Sequence, residues 1–176
     1  MGSRVPSAAL LRRLRAIAAE FPPARWCVRG LARLVSPAHR VGAVAVVFDP
    51  DGRVLIVEHA FRTDFPWGLP GGWVQPGEDP ADAVARELRE ELKLDVEVGP
   101  LVLCGTIGRV RTSTHPVHIG LAYACRLRTA PSDLSVELLD LEWIDPAMPA
   151  SRPLAPFQQR AISAARAETT RRVPNP

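Results

Sequence analysis

The chain has 176 residues, room for one domain with short extensions. Its apolar fraction of 47% suits a globular core, and no apolar run approaches the ~20 residues of a membrane-spanning helix. The net charge of +3 is unevenly spread: residues 1–40 hold eight Arg against one Glu, residues 150–176 hold five Arg against one Glu, and the middle is acidic. Cys27, Cys104 and Cys125 are odd in number and widely spaced, so neither a disulfide framework nor a zinc site is indicated. Reduced thiols fit a cytoplasmic location. Arginines interrupt the first apolar stretch, against a signal peptide. Pro6 occupies the Ser/Thr position of a myristoylation start.

In chain order, Leu10, Leu11, Leu14, Ile17 and Ala18 recur at helical spacing and predict a helix over 7–20, ended by Phe21-Pro22-Pro23. A second short helix is expected over 24–35. Residues 1–38 thus read as a helical N-terminal extension that packs on the domain or on a partner subunit, which leaves a homodimer open. The bland reading of its arginines is solubility. Val41–Phe48 is a β-branched run, hence a buried strand. Asp49-Pro50-Asp51-Gly52 is a turn, and Arg53–Glu58 is expected to pair back as a hairpin. Trp67-Gly68-Leu69 predicts a short strand, with Trp67 in the core. Pro70-Gly71-Gly72 and Pro76-Gly77 predict a bent loop whose backbone can approach a metal or phosphate closely.

A helix follows. Asp79 is its N-cap, Pro80 its first residue, and Asp82 lies in its first turn. Ala81, Val84, Ala85, Leu88 and Leu92 form one stripe; Glu87, Glu90 and Glu91 flank it; Arg86, Arg89 and Lys93 fall on the far side. Asp95–Thr106, Val117–Leu127 and Leu139–Ile144 read as strands. Pro156–Glu168 reads as a closing helix with Phe157, Ala161, Ile162 and Ala165 facing inward. Residues 39–168 therefore form the domain, and 169–176 are expected to be a disordered tail.

The chemistry concentrates at residues 72–94. Three carboxylates, Glu87, Glu90 and Glu91, at i, i+3 and i+4 repel one another and need a neutralising partner. A hard cation such as Mg²⁺ takes oxygen ligands of this kind. The spacing fixes Gly72, Glu78, Arg86, Glu87, Glu90 and Glu91. Chance agreement at six such positions is on the order of one in ten million.

The stretch closely resembles the box of the Nudix hydrolase family, Gly-x5-Glu-x7-Arg-Glu-aliphatic-x-Glu-Glu-x-Gly-aliphatic. Trp67-Gly68-Leu69-Pro70-Gly71 resembles the usual approach to it, and the order of elements fits over about residues 40–168. Lys93 departs from the pattern, standing where the box has Gly. Glycine there ends the helix in the left-handed conformation, which lysine adopts at a cost of about 1 kcal/mol unless the helix ends another way.

The resemblance implies an α/β/α sandwich with a mixed central sheet, hydrolysis of a diphosphate linkage, and Mg²⁺ or Mn²⁺ as cofactor, with more than one ion per site. It implies Glu87, Glu90, Glu91 and Gly72 as the metal site, Arg86 as a brace, and Glu78 as its positioner. The general base is expected at Glu90 or Glu91 within the box, or at Glu137 in a later loop. Substrate contacts are expected from Arg62 and Asp64 in the Phe61–Phe65 loop, and from Arg109, Arg111, His115 and His118 around Thr112-Ser113-Thr114. Arginine suits phosphate oxygens. The expected substrate is a nucleoside diphosphate linked to another moiety, or a related nucleotide, with no stable nucleic-acid partner and no membrane span. The alternatives are an RNA 5′-end pyrophosphohydrolase using the basic termini, and a non-catalytic nucleotide-binding regulator. The intact carboxylates argue against the latter.

Overall fold

The structure is a computed structural model that describes residues 39–107, 118–147 and 152–172, with isolated residues nearer the N-terminus. The chain divides into two compact units, Met1–Ala38 and His39–Pro176. In the first, residues 8–10, 12–13, 16 and 26 are helical and Ser7 is not; the remainder of the helices expected at 7–20 and 24–35 lies outside the described residues.

The second unit is built on seven strands, β1 (Val41–Phe48), β2 (Val54–His59), β3 (Trp67–Gly68), β4 (Gly71–Trp73), β5 (Val96–Ile107), β6 (His118–Leu127) and β7 (Leu138–Ile144), and two helices, α1 (Pro80–Leu92) and α2 (Pro156–Arg172). The sheet runs β3-β2-β1-β6-β5, with β4 on β1 and β7 on β2. It is mixed: β1 and β6 are parallel along their length, and the other pairs are antiparallel. Because side chains alternate along a strand, β1 serves both faces. Ala43, Ala45 and Val47 join Leu55 and Val57 of β2 against Val84, Leu88 and Leu92 of α1. Val46 joins Val54, Ile56, Trp67 and Leu69 against Phe157, Ala161, Ile162 and Ala165 of α2. One helix on each face of a mixed sheet is the α/β/α sandwich that the sequence implied. Trp67 is core, as expected, with the Arg152 guanidinium 4.8 Å from its ring centroid.

Four expectations need correction. The Asp49–Gly52 turn forms, with Gly52 N–H donating to the Asp49 carbonyl at 3.0 Å. Beyond it, however, β1 and β2 are registered only at Phe48↔Val54, and β2 pairs instead with β7 over Val54–His59. The supposed loop at Gly71–Trp73 is a strand, paired with Gly42–Val44 of β1. Within α1, Ala83 is buried while Ala81 and Ala85 are half-buried, and Glu91 lies inside at 7% exposure. Finally, α2 continues through Thr169–Arg172 rather than fraying at Glu168. The Thr169 and Thr170 hydroxyls donate to the Ala165 and Arg166 carbonyls at 3.0 Å each, satisfying groups that otherwise compete with helix. Residues 173–176 lie outside the described residues.

Both ends of α1 follow from the sequence. The Asp79 carboxylate accepts the Ala81 N–H at 2.8 Å, and Pro80 opens the helix. At the far end Lys93 takes the left-handed conformation (φ 51, ψ 35), its N–H donating to the Arg89 carbonyl at 3.2 Å. It is the one non-glycine with positive φ among the described residues. Lys93→Gly is therefore expected to stabilise the protein by about 1 kcal/mol, seen as a higher urea midpoint at unchanged slope.

Candidate active site

The box places its groups on two elements that share the sheet. Gly71–Trp73 is fixed by β1, and α1 packs beneath the same strand. The two approach so closely that a Cβ on Gly72 would lie 2.3 Å from the Glu87 carboxyl carbon. A side chain at position 72 would push that carboxylate from its place. Gly71 N–H donates to Glu91 Oε2 at 3.2 Å.

Arg86 organises the rest. Its Nε and Nη2 donate to the two Glu78 oxygens at 2.8 and 3.1 Å. Its Nη1 reaches Glu87 at 2.8 Å and Glu90 at 3.1 Å, and Nη2 also reaches the Trp73 carbonyl at 3.2 Å. Arg86 thus ties the approach loop, β4 and α1 together instead of pointing away from the carboxylates. The helical wheel assigned its Cβ direction; the long side chain curls back. Hydrogen bonds from Arg86 hold Glu78 below the usual carboxylate range, and Glu78 in turn pushes the guanidinium up. Glu78 also accepts the Gln75 N–H at 2.8 Å, closing the turn before the helix.

Glu91 is the electrostatic outlier. Burial pushes its carboxyl up to about 7; the Gly71 N–H opposes this, Glu87 adds to it, Arg62 opposes and Glu137 adds. A buried carboxylate that faces further carboxylates is set to take a cation or a proton. Among the described residues no three His, Cys, Asp or Glu side chains already converge as metal ligands do. Arg86 is the cation that Glu87 and Glu90 hold. The oxygen donors nevertheless suit a hard divalent ion, and the Gly72 cradle leaves the Glu87 carboxylate space.

The expected residues divide accordingly. Gly72, Glu78, Arg86, Glu87, Glu90 and Glu91 are assembled around the β4–α1 contact. Glu137 stands close enough for its charge to act on Glu91, and the loop before it is pinned to α1 by Ser135 N–H donating to the Glu91 carbonyl at 2.8 Å. Arg62 also acts on Glu91, and its Nη1 would lie 2.9 Å from a Cβ on Gly68. His118 instead meets Trp73 edge-on, ring centroids 4.9 Å apart. Arg109, Arg111 and His115 lie outside the described residues.

No sequence pattern singles out His59, which ends β2 at 8% exposure, its Nε2 without a hydrogen-bond partner among the described residues. Burial pushes its imidazole down to about 4, and the Arg62 guanidinium adds to this. Unfolded, it titrates near 6.5. Between those values the unfolded chain binds the extra proton, so His59 contributes stability that is complete above pH 6.5 and is lost as pH falls toward 4. Glu91 runs the other way in the metal-free protein, penalising the fold as pH rises toward 7. His59→Asn is thus expected to gain on wild type as pH falls, by at most about 1.4 kcal/mol per pH unit, in urea titrations at pH 4.5, 5.5 and 7.

The NUDIX domain profile matches residues 38–165. The chain belongs to the Nudix family. It is 34% identical over 126 residues to nucleoside diphosphate-linked moiety X motif 6 of Mus musculus, covering 68% of this chain and 39% of that one. It is 32% identical over 110 residues to a MutT-like protein of Streptomyces ambofaciens, covering 62% and 66%. A MutT NUDIX hydrolase from Burkholderia pseudomallei superposes with a TM-score of 0.59 at 25% identity, covering 73% of this chain and 98% of that chain. The chain thus spans less than two thirds of either sequence relative's length. Among the described residues no helix is long and apolar enough to cross a membrane.

Proposed function

We propose that the protein is a divalent-cation-dependent pyrophosphohydrolase that cleaves the diphosphate linkage of a nucleoside diphosphate joined to another moiety, or of a related nucleotide. One observation carries the reading: Glu87 and Glu91 lie against the Gly71–Trp73 strand, at Gly72 and the Gly71 N–H, and Arg86 holds Glu90 beside Glu87. The relatives' names, a nucleoside diphosphate-linked moiety X protein and a MutT-like protein, support the same class.

A diphosphate repels nucleophiles, so its oxygens need neutralising and its attacking water needs to lose a proton. Glu87, Glu90 and Glu91, with the Gly72 backbone beside them, would hold Mg²⁺ or Mn²⁺, which supplies charge neutralisation and acidifies a water. Arg86, anchored by Glu78, keeps α1 and the approach loop in register. Glu90, Glu91 or Glu137 takes the proton. Arg62, with Arg109, Arg111 and His115, binds the anionic substrate.

The test is a panel of nucleoside triphosphates, nucleotide sugars, ADP-ribose and 5′-triphosphate RNA, with Mg²⁺, with Mn²⁺ and with chelator. Cation-dependent release of a nucleoside monophosphate is expected. Cation-independent turnover, or tight binding without hydrolysis, would overturn the assignment, and turnover confined to the RNA would move it to RNA ends.

A further inference from the structure

Two loops end beside the carboxylates in apolar side chains that the fold leaves outside. Phe61 is 82% exposed and Val136 93%, the two most exposed large hydrophobics among the described residues. Both sit where the β2–β7 ladder runs out. Ala60 N–H donates to the Glu137 carbonyl at 2.9 Å, so each stands one residue from that bond. The chain neighbour of Phe61 is Arg62 and that of Val136 is Glu137, the two charges that reach Glu91 from outside the box. The Val136 loop is also fastened to α1, by Ser132 N–H to the Leu92 carbonyl at 3.3 Å and Ser135 N–H to the Glu91 carbonyl at 2.8 Å. Single exposed apolar residues need no explanation; a pair flanking one backbone hydrogen bond at the rim of a charged site does.

We propose that Phe61 and Val136 seat the planar nucleobase of the substrate, the base stacking on the Phe61 ring while the diphosphate lies against the α1 carboxylates. This rests on the pyrophosphohydrolase reading above. A ribose separates base from diphosphate, so the two must be held at neighbouring but distinct places. One residue of chain spans about 3.5 Å, which puts Phe61 a short step beyond Arg62. Every base has a π-face, so an aromatic seat suits this substrate class whichever base it carries. A lasting contact with a second copy asks for about 800 Å² per partner, far more than two side chains offer.

The test compares AMP with ribose 5-phosphate by calorimetry on wild type, Phe61→Ala and Phe61→Trp. Wild type is expected to bind AMP about tenfold more tightly, equivalent to ~1.4 kcal/mol and at the low end of base–aromatic stacking. Phe61→Ala is expected to bring the two within twofold, and Phe61→Trp to restore the preference. With ATP as substrate, Phe61→Ala is expected to raise KM about tenfold with kcat within twofold. An unchanged AMP preference in Phe61→Ala, or a variant that alters sedimentation instead of binding, would overturn the base seat. If wild type hydrolyses no nucleotide, the functional reading fails while the calorimetry still decides the seat.

Discussion

Glu91→Gln is expected to leave a folded protein whose turnover falls at least ~100-fold, the range for loss of acid–base or metal chemistry. Glutamine keeps the shape of the side chain, and its carbonyl can still accept the Gly71 N–H that now bonds Glu91 at 3.2 Å. What disappears is a negative charge that burial already disfavours. Above pH 7 the metal-free variant is therefore expected to be at least as stable as wild type, since charging Glu91 costs the fold and glutamine does not charge. Activity and stability should part in opposite directions, read by initial rates and thermal melts on the same samples. A folded variant within threefold of the wild-type rate would remove Glu91 from the chemistry and leave Glu90 and Glu137 as bases.

Gly71→Ala is expected to destabilise the fold by about 3 kcal/mol or more in urea titrations. Gly71 has φ +138, and a Cβ there would lie 2.3 Å from the Ala43 carbonyl oxygen and 2.8 Å from the Val44 α-carbon. Both belong to the backbone of β1, which cannot yield without breaking its parallel ladder with β6. Gly77→Ala is the control. It also has positive φ, +82, but nothing lies within 4 Å, so about 1 kcal/mol of backbone strain is all it should cost. Equal costs at the two positions would mean that close packing of β4 on β1 contributes nothing.

The readable parts of this molecule were those whose signal is local. Asp79-Pro80 marks the start of α1 through its own backbone hydrogen bonds, and Phe157, Ala161, Ile162 and Ala165 mark the inner face of α2 by their period. The box gave the carboxylates by spacing. The missed parts depend on distant partners or short lengths. The β2–β7 ladder joins residues 79 to 90 positions apart, and no pattern in Val54–His59 distinguishes that partner from β1. Gly71–Trp73 is three residues long, too short for a period of two to show, and two of them are glycines. A helical wheel turns Arg86 away from the carboxylates because it records where a side chain leaves the helix and not where its charge arrives; the bracing role came from the resemblance alone. Glu91 was expected at the rim; its burial comes from β4 closing over the helix.

Strand β4 turns the glycine-rich stretch beside the carboxylates from a hinge into a fixture. A loop could open and close around substrates of different size. A strand hydrogen-bonded to the central β1, with a helix packed beneath the same strand, can part from that helix only when the sheet itself gives way. The carboxylates and the Gly71 amide thus form a rigid anvil. On the proposed function, any adjustment to what hangs from the diphosphate falls to the segments around it, such as the Phe61 and Val136 loops, which are free to diverge while the carboxylate geometry stays constant.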